Sequence, residues 1–566
     1  MILDFNNLSV EHLKRLNKTS IEIHNEFNDL TKEILNRSNK KVEDLICNVV
    51  SRHPYQSNLF EVCYTLTFIR NLSKEVNISK IIFSNYAIFS ELKRIKEIRG
   101  KVVFSGGRKI GLRFSFMIKS AKDFLKDVFF AKRMYLSKSK ARAKGLKRKL
   151  KLPIILIDTF ALQDSIDNKR IKDRYYTGLL DHVTAEQREK IYFMPLILGR
   201  YSKKDLLQIE KNSKANLLFS TDFLSLTDYL YILLKLFRQT FDFNKRIFFS
   251  GYDLTDVIRG YFKRERFNNS TFQGLINYFF IRRLEKNGVK IELFIDWNEN
   301  QPIDKGMIKG LHDFYPKVRV KGYRGFIVSY DYNLYLMPTD YEKENGVIPD
   351  EICVVGKALE NRIKKFTDKI KVTTAPAFRF QGVFKNYEKI SDGTKKILVA
   401  LPIGVNESYD ILTIVSKALI LLEKEKKFQL LIKPHPVLNI DKLKKAMGSM
   451  WNKGFKMVNG DFNELVSQMD LLIGNASSTL IETLAYGIPV IVVGSKNSIT
   501  QNPIDEDIDR RIWKIVYSVD ELVLAINHYT NIKTSARVEL EEIGLNIKND
   551  YFMPVDSESV KNFLQA

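Results

Sequence analysis

The stretch "LLIKPHPVLNI", residues 430–440, places a histidine between two prolines directly after a short apolar run. Leu430, Leu431 and Ile432 have the pattern of a buried strand in a parallel sheet. The two prolines exclude a helix and remove two backbone N–H donors, so they predict a stiff turn. We therefore expect His435 at the carboxyl end of a strand, the edge of an open α/β sheet at which ligands bind.

Short apolar runs and helical segments alternate on both sides of this stretch. After residue 395 the strand-sized runs are "KKILVALPIG", "FQLLIKPHP", "DLLIGN" and "IPVIVVG". The same alternation occurs earlier, with "LPIILIDTF" (152–160), a predicted helix over 167–183 and "VKIELFIDW" (289–297). The pattern predicts an α/β protein with doubly wound parallel sheets in two Rossmann-like domains that face a cleft. Clefts between domains are common ligand sites.

Changes in composition divide the chain into four segments. Residues 1–55 are predicted to be helical, and residues 56–385 to form a Rossmann-like domain with a basic helical insertion at about 93–151. The polar stretch "KNYEKISDGTK" separates this domain from the second series of strands, which predicts another Rossmann-like domain over 386–530. Helices are predicted for residues 531–566.

The overall composition is that of a soluble globular protein, with 45% hydrophobic and 28% charged residues among 566. No apolar run reaches the roughly 20 residues of a membrane-spanning helix, and we expect no signal peptide. Three cysteines lie far apart and the seven histidines are scattered. We therefore expect a reduced compartment, no disulfide framework and no metal site.

The net charge of +25 is concentrated in one segment. Residues 93–151 contain 21 basic and 3 acidic residues, a net charge of +18. Within it Phe124, Leu125, Val128 and Phe129 recur at helical spacing between lysines. A basic amphipathic helix beside a polybasic run predicts attachment to an anionic membrane surface, here through residues 115–151. The alternatives are an insertion that packs on its own domain and a polyanion site; no known nucleic-acid-binding pattern is present, so we expect no nucleic acid partner.

A second motif follows the predicted strand "DLLIG", in "NASSTLIETLAYGIPVIVVG" (475–494). Ser477, Ser478 and Thr479 lie where the strand becomes a helix, and Glu482 lies in its first turns. Hydroxyl groups and free N–H groups at a helix N-terminus receive phosphate readily. The alternative is a plain capping box built from Ser478 and a following carboxylate. Because this motif and the Lys-Pro-His-Pro motif both end strands of one sheet, we expect them to converge on one phosphate.

The two motifs together resemble the C-terminal nucleotide-sugar domain of GT-B glycosyltransferases, over about residues 395–495. The resemblance is to bacterial surface-polysaccharide enzymes of the polysialyltransferase-like and Kdo-transferase-like types, in which a His-Pro motif and a serine motif hold the CMP of the donor. Glycerophosphotransferases of teichoic acid synthesis are similar. The segments 293–314, 345–359 and 373–380 resemble surface-carbohydrate biosynthesis proteins of O-antigen loci.

The resemblance implies a cytoplasmic enzyme, peripheral at the inner membrane face, that moves an activated sugar to a glycan or lipid-linked acceptor. The expected donor is a CMP-linked ulosonic acid such as Kdo or a sialic-type sugar, as in lipopolysaccharide biosynthesis, with no further cofactor and no metal. The N-terminal domain would hold the acceptor. The residues predicted to bind the nucleotide and its phosphate are Lys433, His435, Pro436, Asn475, Ser477, Ser478, Thr479 and Glu482.

Glycosyl transfer also requires a group that deprotonates the acceptor hydroxyl. Glu299 in "DWNENQP" follows the predicted strand 289–297, with Asp296 beside it, and these two are the predicted catalytic residues. The alternative for Glu299 is a cap on the helix that it precedes. Asn300, Gln301 and Arg379 are predicted to contact the substrate, Arg379 through bidentate bonds to a carboxylate or phosphate. The chain lacks the acidic motif of polysialyltransferases, so the resemblance does not identify the base.

Three rival functions fit the same patterns. The first keeps the fold and transfers a polyol phosphate from a CDP-linked donor. The second is a sugar-nucleotide 2-epimerase, against which we note that the paired glycines expected beside the serine motif are absent. The third is a non-catalytic membrane-bound scaffold of glycan assembly.

Overall fold

The protein is described by a computed structural model, which covers all residues except 55, 107–108, 140–152, 162–165, 168–169, 172, 198–201, 388–392, 423–427, 452–454 and 566. Three parallel sheets organise the described residues. The smallest has the order β1-β2-β3. Its strands are Ile2–Asp4, Lys80–Phe83 and Val102–Phe104.

The largest sheet has seven strands in the order β14-β13-β12-β11-β4-β7-β8. Its first strand in the chain, β4, therefore lies in the interior, and the chain runs to β7 on one side and later to β11 on the other. This reversal is a topological switch point, where a crevice opens at the carboxyl ends of the strands. The strands are β4 Ile154–Ala161, β7 Ile191–Ile197, β8 Asn216–Leu217, β11 Ile291–Trp297, β12 Arg319–Arg324, β13 Glu351–Val354 and β14 Lys371–Thr374.

The third sheet repeats this plan with six strands in the order β17-β16-β15-β18-β19-β20. Its switch point lies between β15 and β18. The prediction of an α/β fold with doubly wound parallel sheets in two Rossmann-like domains is confirmed. The strands are β15 Lys395–Ala400, β16 Phe428–Lys433, β17 Lys456–Met457, β18 Leu471–Gly474, β19 Val490–Val493 and β20 Trp513–Val516.

Helices cover the faces of the sheets. Those before and around the seven-stranded sheet are α1 Val10–Glu22, α2 His24–Asn36, α3 Val42–Leu45, α4 Leu59–Ser73, α5 Tyr86–Leu92, α6 Lys109–Leu136, α7 Ala185–Lys190, α8 Lys203–Asn212, α9 Leu226–Phe237, α10 Thr255–Glu265, α11 Asn269–Lys286, α12 Pro302–Phe314, α13 Asp340–Glu344 and α14 Lys357–Phe366. Those that follow are α15 Val405–Leu422, α16 Ile440–Met447, α17 Phe462–Val466, α18 Thr479–Leu484, α19 Val519–Thr530, α20 Thr534–Tyr551 and α21 Ser557–Phe563.

The last two helices return the chain to the seven-stranded sheet. Lys321 Nζ on β12 donates to the carbonyl of Phe563 at 2.9 Å. The backbone N–H of Met553 donates to the carbonyl of Val355 at 2.7 Å. Gly356 has room only for a hydrogen, since an added Cβ would lie 2.2 Å from the backbone of Tyr551. The C-terminus thus fastens the second domain to the first.

The structure corrects two local predictions. The helix expected over 167–183 does not form among its described residues, where the antiparallel pair β5 Ile166–Asp167 and β6 Arg170–Ile171 is followed by a 3-10 helix, Leu179–His182. The Asp173 carboxylate accepts two nearby backbone N–H bonds, which competes with helix formation. Similarly, the apolar run in "KRIFFSG" (245–251) predicts a further strand of the alternating series, but it forms only β9 Phe248–Phe249, which pairs antiparallel with β10 Tyr252–Asp253 outside the main sheet.

The predicted N-terminal segment and the basic insertion can both be located in the structure. Residues 1–55 contain the predicted helices, and their first strand pairs with β2, so this segment belongs to the same unit as residues 80–104. The basic insertion is represented by the long helix α6, whereas residues 140–151 lie outside the described residues. No helix in the described part of the chain is both long enough and apolar enough to cross a bilayer.

A buried ion network joins the N-terminal helices to the main domain. Glu342 on α13 accepts from Arg52 Nη2 and from Lys305 Nζ, each at 2.7 Å, and all three side chains are almost fully buried. Burial alone would raise the pKa of Glu342, but the charges of Arg52 and Lys305 outweigh it and lower that pKa to about 2. The carboxylate therefore stabilises the fold above its ordinary pKa of 4.5 and loses this effect as the pH falls towards 2.

Replacing Glu342 with glutamine is expected to destabilise the first domain by about 3–5 kcal/mol, because Arg52 and Lys305 then keep buried charges without a carboxylate. Thermal unfolding at neutral pH measures the change as a lower melting temperature. Glu344→Gln, at an exposed position of the same helix, is the matched control and should change stability by less than about 0.5 kcal/mol. Equal melting temperatures for both variants would contradict the role of the network.

Candidate functional site

The turn after β16 holds His435 as the sequence predicts, at the carboxyl end of a strand. The backbone N–H of Val437 donates to His435 Nδ1 at 3.3 Å, which leaves the ring proton on Nε2. Burial lowers the pKa of His435, and the nearby charge of Arg379 lowers it further. The imidazole is therefore neutral at pH 7 and presents one N–H donor.

Two neighbours of His435 have other contacts. Lys433 Nζ donates to the backbone carbonyl of Gly460 at 2.7 Å. Burial lowers the pKa of Lys433, opposed by the charge of Asp461. Pro436 is exposed at the tip of the turn. The lysine thus links the His435 turn to the loop after β17. Its ammonium group is engaged in this hydrogen bond and is not a free cation.

The loop after β18 contains unsatisfied polar atoms at the switch point of the second sheet. Asn475 is 8% exposed, and its Oδ1 has no hydrogen-bond partner among the described residues. Thr479 Oγ1 is likewise buried without a partner in that part of the chain. Ala476 between them has φ +54°, an unfavourable conformation for a residue with a Cβ atom. Strain and unpaired polar groups of this kind are concentrated at ligand sites.

The serines of this loop do not form the capping box that was the alternative interpretation. Ser478 already has helical backbone angles, and its hydroxyl donates to Glu482 Oε1 at 3.3 Å. Ser477 Oγ accepts instead from the backbone N–H of Thr479, at 3.3 Å. Burial raises the pKa of Glu482 to about 7, although Arg379 and bonds with Ser478 and Asn463 oppose the shift. Glu482 is thus a buried carboxyl group that titrates near neutral pH.

Four carboxyl groups cluster at the switch point of the first domain, between β4 and β11. Asp296 is fully buried, and burial together with the charge of Glu299 raises its pKa to about 7. Burial and the charge of Asp296 raise the pKa of Asp158 and of Asp304 well above the ordinary value. Like charges in a dry site disfavour full ionisation, so the cluster retains protons at neutral pH.

Glu299 is the least buried member of this acidic cluster (Asp158, Asp296, Glu299 and Asp304). Trp297 Nε1 donates to its Oε1 at 2.9 Å and Gln301 Nε2 to its Oε2 at 2.6 Å. Burial raises the pKa of Glu299 against these two bonds and the charge of Arg379. Asp304, not Glu299, caps the following helix, because it accepts the backbone N–H groups of Glu299 and Gln301.

Asn300, predicted to contact the substrate, lies inside the domain. It is 1% exposed, and its Nδ2 donates to the backbone carbonyl of Tyr335 at 2.6 Å. Its φ of +50° turns the side chain away from the crevice and into the ion network around Glu342. This residue supports the loop and is not placed to touch a substrate.

The charge of Arg379 acts on residues of both groups described above, the acidic cluster in the first domain and the His435 turn with the serine loop in the second. Its guanidinium is exposed and lies 5.6 Å from the ring centre of Trp297 and 5.7 Å from that of Tyr175. It influences the pKa of Glu299 in the first domain and of His435 and Glu482 in the second. No hydrogen bond or ion pair to Arg379 occurs within the described chain. The charge of Arg379 therefore reaches Glu299 in the first domain and both His435 and Glu482 in the second.

Several members of this site were not predicted from the sequence. Asp158 was detectable as a single acidic residue in the apolar strand "LPIILIDTF". Tyr175, which stacks with Arg379, lay in the segment wrongly predicted as a helix. Asn463, which accepts from Tyr486 Oη at 3.0 Å and bonds Glu482, comes from a helix with no distinctive motif. In the described chain, no group of three or more His, Cys, Asp or Glu side chains has a geometry suited to a metal ion.

Neither the family models nor the curated proteins give a match to this chain. Solved structures to which this chain is similar include a UDP-GlcNAc 2-epimerase from Neisseria meningitidis bound to UDP-GlcNAc, with 14% identity, coverage of 73% of this chain and 98% of that chain, and a TM-score of 0.40. They also include HepE from Anabaena in complex with UDP and glucose, which is 7% identical, with 73% of this chain and 98% of that chain covered and a TM-score of 0.40. A third is trehalose 6-phosphate synthase from Burkholderia multivorans, which is 9% identical, with 73% of this chain and 95% of that chain covered and a TM-score of 0.42.

Replacing Glu482 with glutamine is expected to change how stability depends on pH. Because its pKa is raised from 4.5 to about 7, the folded state holds the proton more tightly, and wild-type stability falls as the pH rises from 4.5 to 7. Glu482→Gln should therefore be more stable than wild type by roughly 1–3 kcal/mol at pH 8 and equal to it at pH 4.5 or below. Melting temperatures at both pH values measure this, with exposed Glu464→Gln as the control. A constant offset at both pH values would contradict the raised pKa.

Proposed function

We propose that the protein is a glycosyltransferase that uses a nucleotide sugar, binding the donor in the second domain and the acceptor in the first. The observation that carries the proposal is the position of Arg379, an unpaired cation between the acidic cluster on one side and His435 and the serine loop on the other. A cation at this point suits a reaction in which a phosphate ester leaves and an acceptor hydroxyl is deprotonated.

The donor half-site is suited to a phosphate. His435 Nε2 and the hydroxyls of Ser477 and Thr479 are donors that follow β16 and β18, the two strands that flank β15, and Arg379 adds its charge from outside this sheet. Oriented N–H and O–H donors stabilise charge that develops on a leaving group. We assign Glu482 a positioning role, because it is buried and bonded to Ser478, in preference to the direct nucleotide contact predicted from the sequence. Asn475 Oδ1 is left to accept from the nucleoside.

The acceptor half-site is suited to general base catalysis. In the proposed step the Glu299 carboxylate removes the proton of the acceptor hydroxyl, the oxygen attacks the anomeric carbon, and the bond from that carbon to the phosphate oxygen breaks. The electron pair leaves on the nucleotide phosphate, beside Arg379 and His435. Asp296, predicted as catalytic, is 0% exposed and therefore does not touch the acceptor in this proposal; burial and the charge of Glu299 raise its pKa to about 7.

For the donor we propose a CMP-linked ulosonic acid, whose carboxylate suits the guanidinium of Arg379. The acceptor would be a surface glycan or its lipid-linked precursor, with the enzyme held at the inner membrane face by its basic segment.

CMP, CDP, UDP and GDP are compared for the increase in melting temperature that each produces. Product analysis with CMP- and CDP-linked donors then separates sugar transfer from polyol-phosphate transfer and epimerisation. If no nucleotide stabilises the protein, the scaffold function replaces this proposal.

His435→Ala is expected to weaken binding of the stabilising nucleotide by about 10-fold or more, because a half-buried donor to the phosphate is lost. Isothermal titration calorimetry measures the dissociation constant. His528→Ala removes an exposed histidine of the same domain and should bind like wild type. Unchanged affinity in the His435 variant would remove its phosphate role.

Glu299→Gln is expected to keep nucleotide affinity and to lower turnover by about 10²–10⁴-fold, because the amide cannot accept the acceptor proton. The amide retains a hydrogen-bond acceptor for Trp297, so the loop should fold. Initial rates of sugar transfer and calorimetric titration are measured on the same sample. Turnover within a factor of a few of wild type would exclude Glu299 as the base.

A further inference from the structure

Two neighbouring helices of the first domain leave rows of apolar side chains exposed. On α9 the exposed residues Leu226, Leu230, Leu234 and Phe237 follow the i, i+4, i+8, i+11 spacing, so they lie on one helix face. On α6 the exposed residues are Leu125, Phe129 and Leu136, again on one face. Isolated exposed leucines are ordinary, whereas aligned rows on adjacent helices form a patch that indicates a partner.

The two rows lie side by side along the helices. At one end the ring of Phe124 on α6 packs 5.6 Å from that of Phe237 at the end of α9. At the other end Lys138 Nζ donates to the carbonyl of Leu224 and the N–H of Ser139 to Asp222, just before α9 begins. Contacts at both ends of α9 thus make the two helices antiparallel neighbours, and their exposed apolar rows are together called the α6–α9 surface.

The other face of α6 packs on its own domain, as one alternative in the sequence analysis expected. Phe124 also contacts Phe267, and Phe130 contacts Phe272. Asp127 is buried and accepts from Asn269. Packing therefore accounts for one side of α6, and it leaves the row with Phe129, which is 66% exposed, without a partner in the described chain.

The exposed charges on the described parts of α6 and α9 are mainly positive. Exposed basic residues flank the rows, and each acid on the described parts of the two helices is neutralised: Asp123 bonds Lys126, Asp127 is buried, and Asp228 pairs with Arg283. The flanking basic residues are Lys122, Lys126, Lys132, Lys203, Lys204 and Arg238. An apolar strip with a basic border is complementary to the apolar interior and anionic headgroups of a lipid surface.

We propose that α9 is the hydrophobic insertion element of this protein, and that it enters an anionic bilayer with its row of Leu226, Leu230, Leu234 and Phe237 while the basic residues of α6 contact the headgroups. This inference rests on the membrane attachment contained in the proposed function and extends it to a helix outside residues 115–151. Tyr231 lies between the cations of Lys235 and Arg238, at 5.5 and 5.8 Å, and forms the boundary between the apolar row and the basic border.

The test uses the full-length protein and vesicles of phosphatidylcholine with or without phosphatidylglycerol. Leu230→Glu/Leu234→Glu is compared with Leu524→Glu/Leu545→Glu, which makes the same chemical change at leucines of α19 and α20. The exposed fractions are 53% and 55% for the first pair and 70% and 54% for the second. Co-sedimentation with anionic vesicles is expected to fall about tenfold or more in the α9 variant and to stay unchanged in the control. A third variant, Lys126→Glu/Lys132→Glu, should also lose binding to anionic vesicles.

Each outcome is distinct. If the α9 variant sediments like wild type while the lysine variant does not, insertion by α9 is overturned and basic attachment stands. If wild type binds no vesicle, membrane attachment itself fails, while nucleotide stabilisation of the same sample still tests the transferase. If the wild type instead forms a dimer in analytical ultracentrifugation that only the α9 variant dissociates, the surface is a self-association site and the proposal is overturned. Melting temperatures confirm that the variants fold.

Discussion

The exposed guanidinium of Arg379 is the interaction on which the site depends. It lies against two aromatic rings and keeps its hydrogen-bonding groups free of internal carboxylates, so its charge acts on both domains. On one side it opposes the raised pKa of Glu299, and on the other it adds to burial, the larger cause, in lowering the pKa of His435. A cation bound in a salt bridge would be neutralised, whereas stacking on aromatic rings holds a cation in place and leaves its charge available.

The doubly wound topology brings the two half-sites to comparable places. In each large sheet the first strand in the chain lies inside, and chain reversal opens a crevice beside it. Asp158 and Asp296 lie on the two strands that border the first crevice, and Asn475 ends a strand that borders the second. The positions of the acidic cluster and of the serine loop therefore follow from strand order. The last two helices hold one domain against the other through contacts at Lys321 and Gly356.

Buried carboxyl groups occur in two different electrostatic environments in this molecule. Around Glu342 two cations satisfy one carboxylate, which lowers its pKa and makes the network stabilising. At the acidic cluster several carboxyl groups share one dry crevice, which raises their pKa values and costs stability. Groups that titrate near the working pH are suited to proton transfer, so the cost is concentrated where the chemistry is proposed.

Local patterns identified the strand ends well and the loops less well. The turn at His435 follows from two prolines after an apolar run, and the two Rossmann-like series follow from alternating periodicity. The segment 167–183 was misassigned because Asp173 bonds backbone N–H groups and Gly178 takes φ +80°, effects that helical periodicity does not reveal. Asn300 was misjudged for a similar reason, since only its positive φ directs it inward.

The sequence by itself determined the α/β class, the two-domain division and the placement of His435 and the serine loop at strand ends, because proline, glycine and apolar period act over a few residues. Tertiary structure alone decided that Arg379 meets Tyr175 and Trp297, that Asp296 is inaccessible while Glu299 is not, and that the apolar row of α9 adjoins that of α6. These facts depend on strand order and helix packing between residues far apart in the chain, which local spacing does not encode.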